Sequence, residues 1–229
     1  MTELTEFQRK LSALLPDVEL RFEEALAKHT SFRIGGDAEV MAFPKTKIEL
    51  ADILKACAKL NCKCAILGAG TNVLAPDEGV RGLVVCLKDC LGGMERLDET
   101  HIRVMAGVTM ARAAVNAANM GLTGMEFAHG IPGTVGGGVY MNAGAYGGEI
   151  RQVAAETKFL TPEGEVETLS GDAQGFAYRT SAFQKREGML LQTLFTLTPG
   201  DAQAIRARMQ ELSGVLLMEP LLTQVKAFC

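Results

Sequence analysis

Apolar side chains recur at Leu4, Phe7, Leu11, Leu14 and Leu15, the spacing of one helical face, and Pro16 ends the run. AEVMAFP (38–44) has the apolar, β-prone character of a strand. Thr46-Lys47-Ile48-Glu49 is a capping-box sequence, and it predicts a helix with Ile53, Leu54, Cys57 and Leu60 on one side. CAILGAG (64–70) is a short apolar strand running into glycine, which completes a strand–helix–strand unit. The second half has a different rhythm. HIRVMAG (101–107) reads as a strand, and Thr109 caps a helix that Gly121 ends. AAETKFLTPEGEVETLS (154–170) is a hairpin turning at Pro162-Glu163-Gly164, and GMLLQTLFTLTPG (188–200) is a further strand. A last helix starts near Asp201. The pattern predicts an α+β chain of two closely packed lobes with a boundary near residues 85–95.

Composition narrows what such a chain can do. With 229 residues, 48% hydrophobic and 22% charged, it can bury a real core, which disfavours disorder. A net charge of −4 without a basic block argues against nucleic acid or an anionic membrane as partner, while a local anion site stays open. The N-terminus lacks the continuous apolar core of a signal peptide, and no apolar stretch is long enough to span a bilayer, so a cytoplasmic protein is expected. The six cysteines show no C-x-x-C pair and no neighbouring histidine, so they are expected as thiols and no metal is expected.

Two glycine segments carry the chemistry. Leu67–Val73 reads LGAGTNV, but the third glycine and following helix of a dinucleotide fingerprint are absent, as is the G-K-[ST] of a phosphate-binding loop. What remains is a strand ending in a turn whose N–H groups, with Thr71 and Asn72, suit a phosphate. His129–Gly148 reads HGIPGTVGGGVYMNAGAYGG, eight glycines punctuated by Ile131, Val135, Val139, Tyr140 and Met141. Apolar residues at that spacing are foreign to disordered linkers. An uncharged, glycine-rich backbone can lie against a flat ring system and a pyrophosphate together, and one such loop per lobe suggests a large dinucleotide between them.

HTSFRIGGDAEV (29–40), ILGAGTNVLAPDEGVRGLVV (66–85), GLTGMEFAHGIPGTVGGGVYMNAGAYGGEI (121–150) and FAYRTSAFQ (176–184) closely resemble the UDP-N-acetylenolpyruvoylglucosamine reductase family, flavoenzymes of peptidoglycan precursor synthesis. The resemblance implies a two-lobed FAD-binding fold of the vanillyl-alcohol-oxidase type, with non-covalent FAD, NADPH as reductant and a UDP-sugar as substrate. It implies a diphosphate loop at Gly68, Ala69, Gly70, Thr71 and Asn72, where the family usually has G-G-G-S-N. It implies further cofactor contacts at Gly107, Gly130, Ile131, Pro132, Gly133, Thr134, Gly137, Gly138 and Asn142, with Gly137 and Gly138 near the isoalloxazine ring. Arg179 matches the family's active-site arginine, Tyr146 and Tyr178 are expected on the substrate, and Ser181 is expected to satisfy backbone. His129 stands where many relatives have a small residue, and no covalent flavin link is expected there.

The domain expectation is a helical segment over 1–28, lobes over 29–88 and 89–199, and a remnant helix with an atypical tail over 200–229. The family's third domain, with its serine proton donor and a glutamate, has no recognisable motif here, and Ser213 is not assigned the donor's role. The expectation is an FAD-binding monomer with the reductase activity as its heritage. A non-catalytic FAD-binding fragment and an FAD-dependent oxidase of the same fold are the alternatives.

Overall fold

The structure, a computed structural model, describes residues 3–88 and 90–218. Helix α1 (Glu6–Leu14) starts at Thr5, whose hydroxyl accepts from Gln8 N while Gln8 Oε1 accepts from Thr5 N, and it stops short of Pro16. The next element corrects the expected helical segment over 1–28. Residues Glu19–Ala25 form strand β1, which pairs antiparallel with β2 (Asp37–Phe43). Its sequence, ELRFEEA, is dominated by charge because it is an edge strand, and only Leu20 and Phe22 on one face lean on the core.

Helix α2 (Lys47–Leu60) follows, with Thr46 Oγ1 accepting from Glu49 N at 3.1 Å. The reciprocal arm of the predicted box lands one residue early, since Glu49 accepts from Lys45 N rather than from the Thr46 backbone. Strands β3 (Cys64–Leu67) and β4 (Val80–Cys86) complete a four-stranded sheet of order β1-β2-β4-β3, in which β2, β4 and β3 run parallel. Both faces of this sheet are covered. Val40, Ala42, Leu83 and Val85 join the α2 side chains in the main core, while Met41, Val84 and Cys86 meet Leu26, Leu67 and Ala75 behind. Ala38 also joins the second cluster, and the β2–β4 register slips beside it, where β4 carries one extra residue between Val80 and Leu83.

The second sheet is antiparallel throughout. Strands β5 (Met94–Arg96) and β6 (His101–Met105) form a hairpin, and Thr109 caps α3 (Met110–Asn119), which ends before Gly121 at φ +69°. Strand β7 (Leu122–Thr123) and helix α4 (Val135–Tyr140) follow, then a tight hairpin of β8 (Gly144–Ala145) and β9 (Gly148–Glu149). Strands β10 (Ala154–Leu160), β11 (Val166–Ser170) and β12 (Met189–Thr196) extend the sheet to the order β11-β10-β12-β6-β5. The two-residue β13 (Thr198–Pro199) pairs with β7 and leads into α5 (Ala202–Met218). The first sheet therefore ends at Cys86 and the second begins at Met94. Of the helix and tail expected over 200–229, α5 supplies the helix, and residues 219–229 lie outside the described residues.

The β5–β6 hairpin is held by one carboxylate. Asp98 accepts from Thr100 N at 2.7 Å and His101 N at 2.8 Å and faces the His101 ring. The Thr100 amide leads the bonds that lower its pKa from 3.8 to about 2. Since the folded value lies below the unfolded one, Asp98 stabilises the protein above about pH 4 and stops doing so as pH falls toward 2. Asp98→Asn is therefore expected to flatten the acid limb of stability in that window, read as the urea midpoint against pH. An unchanged limb would remove Asp98 from the account of acid stability.

Candidate FAD site

The parallel strands of the first lobe end side by side, and a cavity of about 360 Å³ opens where they stop. Its walls come from three separate stretches. Lys28, His29 and Arg33 lie in the connection between β1 and β2, Gly68 and Ala69 follow β3, and Cys86 and Lys88 close β4. Ligands of open α/β sheets gather outside the carboxyl ends of parallel strands for this reason: the loops there converge while the strands stay fixed. Lys28 is paired with Glu24, at 3.4 Å, and Glu24 also holds His29 at 2.8 Å. His29 heads the forces that lower the Glu24 pKa. Among the described residues no ion pair engages Arg33 or Lys88, so the wall keeps positive charge to offer an anion.

The glycines of the first loop are dictated by what lies behind them. Gly70 has φ +66°, and a Cβ there would sit 1.9 Å from the His29 carbonyl oxygen. Ser31 N in turn donates to Gly70 O at 2.9 Å. The segment after β1 is thus laid directly on the loop after β3, which is how the cavity acquires two walls. Asn72 stands exposed beyond Thr71 at the outer end of the loop.

Both glycine segments meet at the cavity's edge. Thr71 Oγ1 donates to the Pro132 carbonyl at 3.1 Å, a Cβ on Gly68 would stand 2.7 Å from Thr134 Oγ1, and a Cβ on Gly133, at φ +127°, would stand 3.0 Å from Thr71 Oγ1. Gly130 and Ile131 lie just before this contact, Ile131 partly buried against the core. Thr134 then caps α4, accepting from Gly137 N at 3.3 Å.

Helix α4 was not foreseen, since glycine is a poor helix former, and packing accounts for it. Gly136 rests on Ala106, and Gly138 rests on Met110, whose sulfur would be 2.7 Å from a Cβ. Gly137 is exposed on the other side. Of the two glycines expected near the ring, Gly138 has its Cβ position filled by Met110, and Gly137 stands exposed. Gly107 is also closely packed, as its missing Cβ admits the Cys90 carbonyl.

A third unit brings in Arg179. Ala177 and Thr180 exchange backbone hydrogen bonds at 3.1 and 3.2 Å, making a tight turn with Tyr178 and Arg179 at its tip and Arg179 at φ +53°. Tyr178 is 83% exposed. The turn is bound to the C-terminal end of α4. Ser181 Oγ donates to Tyr140 O at 2.7 Å, and Gln184 Nε2 donates to Tyr140 O at 3.0 Å and Arg179 O at 3.1 Å. Tyr146 sits at the tip of the β8–β9 hairpin with φ +54°, followed by Gly147 at +80°, the backbone of a two-residue turn. Asn142, expected on the cofactor, turns a buried carboxamide inward to Glu149, Ala177 and Arg151. His129 Nδ1 meets Ser213 Oγ of α5 at 3.0 Å, a contact within the protein.

The fit to FAD rests on these features: a cationic cavity for a diphosphate, a backbone loop at its floor, and a second glycine segment at its rim. Sequence reasoning missed Lys28, His29, Arg33 and Lys88. His29 and Arg33 lie in HTSFRIGG, which carried resemblance but no assigned role, while Lys28 and Lys88 lie outside the matching stretches.

Comparison with known proteins agrees with the geometry. Residues 38–170 match the FAD binding domain family. The UDP-N-acetylenolpyruvoylglucosamine reductase of Streptococcus pneumoniae (strain 70585) is 39% identical over 215 residues, 93% of this chain and 71% of that protein. Its counterpart in Halalkalibacterium halodurans is 39% identical over 84% of this chain and 64% of its own length. The crystal structure of the Thermus caldophilus reductase superposes with a TM-score of 0.71 at 27% identity, covering 89% of this chain and 70% of that one. An alkyldihydroxyacetonephosphate synthase, at 19% identity and TM-score 0.62, shares the fold alone. The fold is the two-lobed α+β architecture of the vanillyl-alcohol-oxidase type, and the chain belongs to the UDP-N-acetylenolpyruvoylglucosamine reductase family, with an FAD-binding domain over residues 38–170.

Proposed function

We propose that this chain holds FAD non-covalently between lobes 29–88 and 89–199 and serves the NADPH-dependent reduction of UDP-N-acetylglucosamine enolpyruvate to UDP-N-acetylmuramate, as a cytoplasmic monomer. The observation that carries this reading is the Thr71–Pro132 bridge, which joins both glycine segments beside a cationic cavity. Gly68, Ala69, Gly70 and Thr71 would hold the diphosphate, with Arg33 and Lys88 opposite it, and the stretch from Gly130 to Gly137 would line the path toward the second lobe. When bound, FAD supplies a hydride acceptor and donor.

The protein's own contribution is electrostatic and geometric. As the enolpyruvyl double bond is reduced, negative charge gathers toward the substrate carboxylate. Arg179 is always charged, planar and presented on a braced turn, which suits it to that oxygen pair. Tyr178 and Tyr146, each at a turn tip, would border the substrate. Ser181 has its hydroxyl engaged by Tyr140 O and takes no part in proton transfer.

The purified, desalted protein is expected to show a visible flavin spectrum that bleaches when NADPH is added without oxygen. The enolpyruvyl substrate should then restore it. Bleaching without restoration would make the chain a flavin-binding module, and oxygen consumption without NADPH would make it an oxidase. A colourless protein that takes up no added FAD would end the proposal.

A further inference from the structure

We propose that Asn142 is a positioning residue for Arg179: its side-chain amide fastens the base of the Ala177–Thr180 turn to the glycine segment and thereby fixes where the guanidinium is presented. The inference rests on the reading of Arg179 given above and adds the element that aims it.

Asn142 is 3% exposed, and both its side-chain donors and its carboxamide oxygen have partners. Nδ2 donates to Ala177 O at 2.9 Å and to Glu149 Oε2 at 2.8 Å, while Oδ1 accepts from Arg151 N at 2.9 Å. These partners belong to two structures: Ala177 begins the Arg179 turn, while Glu149 ends the β8–β9 hairpin whose tip is Tyr146 and Arg151 lies in the helical turn just after it. One side chain therefore couples the two tips. Its backbone is left-handed, at φ +43°, which asparagine tolerates better than other side chains. Ser181 and Gln184 tie the far side of the same turn to Tyr140. The turn is thus braced on both sides, and only the Asn142 brace reaches its first residue.

Asn142→Asp keeps the shape but exchanges two donors for a carboxylate facing Glu149 and a carbonyl. Asn142→Gly keeps the backbone conformation and deletes the amide. Amide hydrogen exchange on the FAD-loaded full chain reads the turn directly. In both variants Ala177 and Thr180 should exchange about tenfold faster or more, while Thr193 in β12 stays unchanged. FAD affinity should remain within about twofold, and affinity for the enolpyruvyl substrate, read from the flavin's visible spectrum, should fall about tenfold. Should Asn142→Asp loosen β12 as well, Asn142→Gly decides.

Unchanged exchange at Ala177 and Thr180 overturns the proposal, and so does faster exchange with unaltered substrate affinity when Arg179→Lys lowers that affinity. If Arg179→Lys also leaves it unaltered, the role given to Arg179 fails, and with it the positioning role.

Discussion

Gly70→Ala is expected to destabilise the protein by about 3 kcal/mol or more, because two separate penalties fall on one methyl group. The backbone there has φ +66°, which costs an L-residue about 1–2 kcal/mol. The new Cβ would also lie 1.9 Å from the His29 carbonyl oxygen, so either the loop after β3 or the segment after β1 must move. Moving either strains the Ser31–Gly70 hydrogen bond that seats them together. Gly164→Ala separates the two penalties, since Gly164 has φ +87° with nothing within 4 Å of its Cβ position. It should cost only the conformational part, about 1–2 kcal/mol. For a chain of this size each kcal/mol is worth roughly 2–4 °C in melting temperature. Gly70→Ala should therefore melt about 6 °C or more below the parent and also lose FAD uptake, because the cavity is framed by the two segments it separates. Equal melting temperatures for the two variants would show that the close approach at Gly70 carries no energy.

The same contact explains which parts of the molecule could be read from the sequence. Elements announced by local chemistry were legible: Thr46 and Thr109 at helix starts, Gly121 and Gly164 at positive φ, and the apolar alternation of β6, β10 and β12. Strand β1 was not, because an edge strand is kept soluble by charge and shows only Leu20 and Phe22 to the core. Helix α4 was not, because its glycines answer to Ala106 and Met110, side chains far away in sequence. The site divides along the same line. The loop glycines and Arg179 are carried by contiguous motifs, which a family resemblance can transmit. Lys28 and Arg33 come to Lys88 only when the β1–β2 connection folds back over the ends of β3 and β4, and no local pattern encodes that convergence. Asn142 was legible as a motif residue, but its tie to Ala177 was not, since that partner lies 35 residues on.

Arg33 offers a test in which stability and function should part. It is a non-glycine residue at φ +56°, in an exposed loop where its side chain lines the cavity. Left-handed backbone at such a residue is a cost of about 1–2 kcal/mol that glycine would not bear, although glycine adds unfolded-state entropy of similar size. Arg33→Gly should therefore leave stability within about 1 kcal/mol of the parent. FAD affinity should nevertheless fall about tenfold, the value of one charge-assisted bond to a diphosphate. Lys88→Ala should cost a similar factor, and the double variant about a hundredfold if the two cations act separately on one anion. Raising the ionic strength should weaken the parent's binding more than the double variant's, because screening acts on the charges that were removed. The alternative is that the loop backbone alone holds the diphosphate and the cations merely solvate the rim. In that case the double variant would bind FAD as tightly as the parent and share its salt dependence, and the cavity at the strand ends would lose its place as the anion seat.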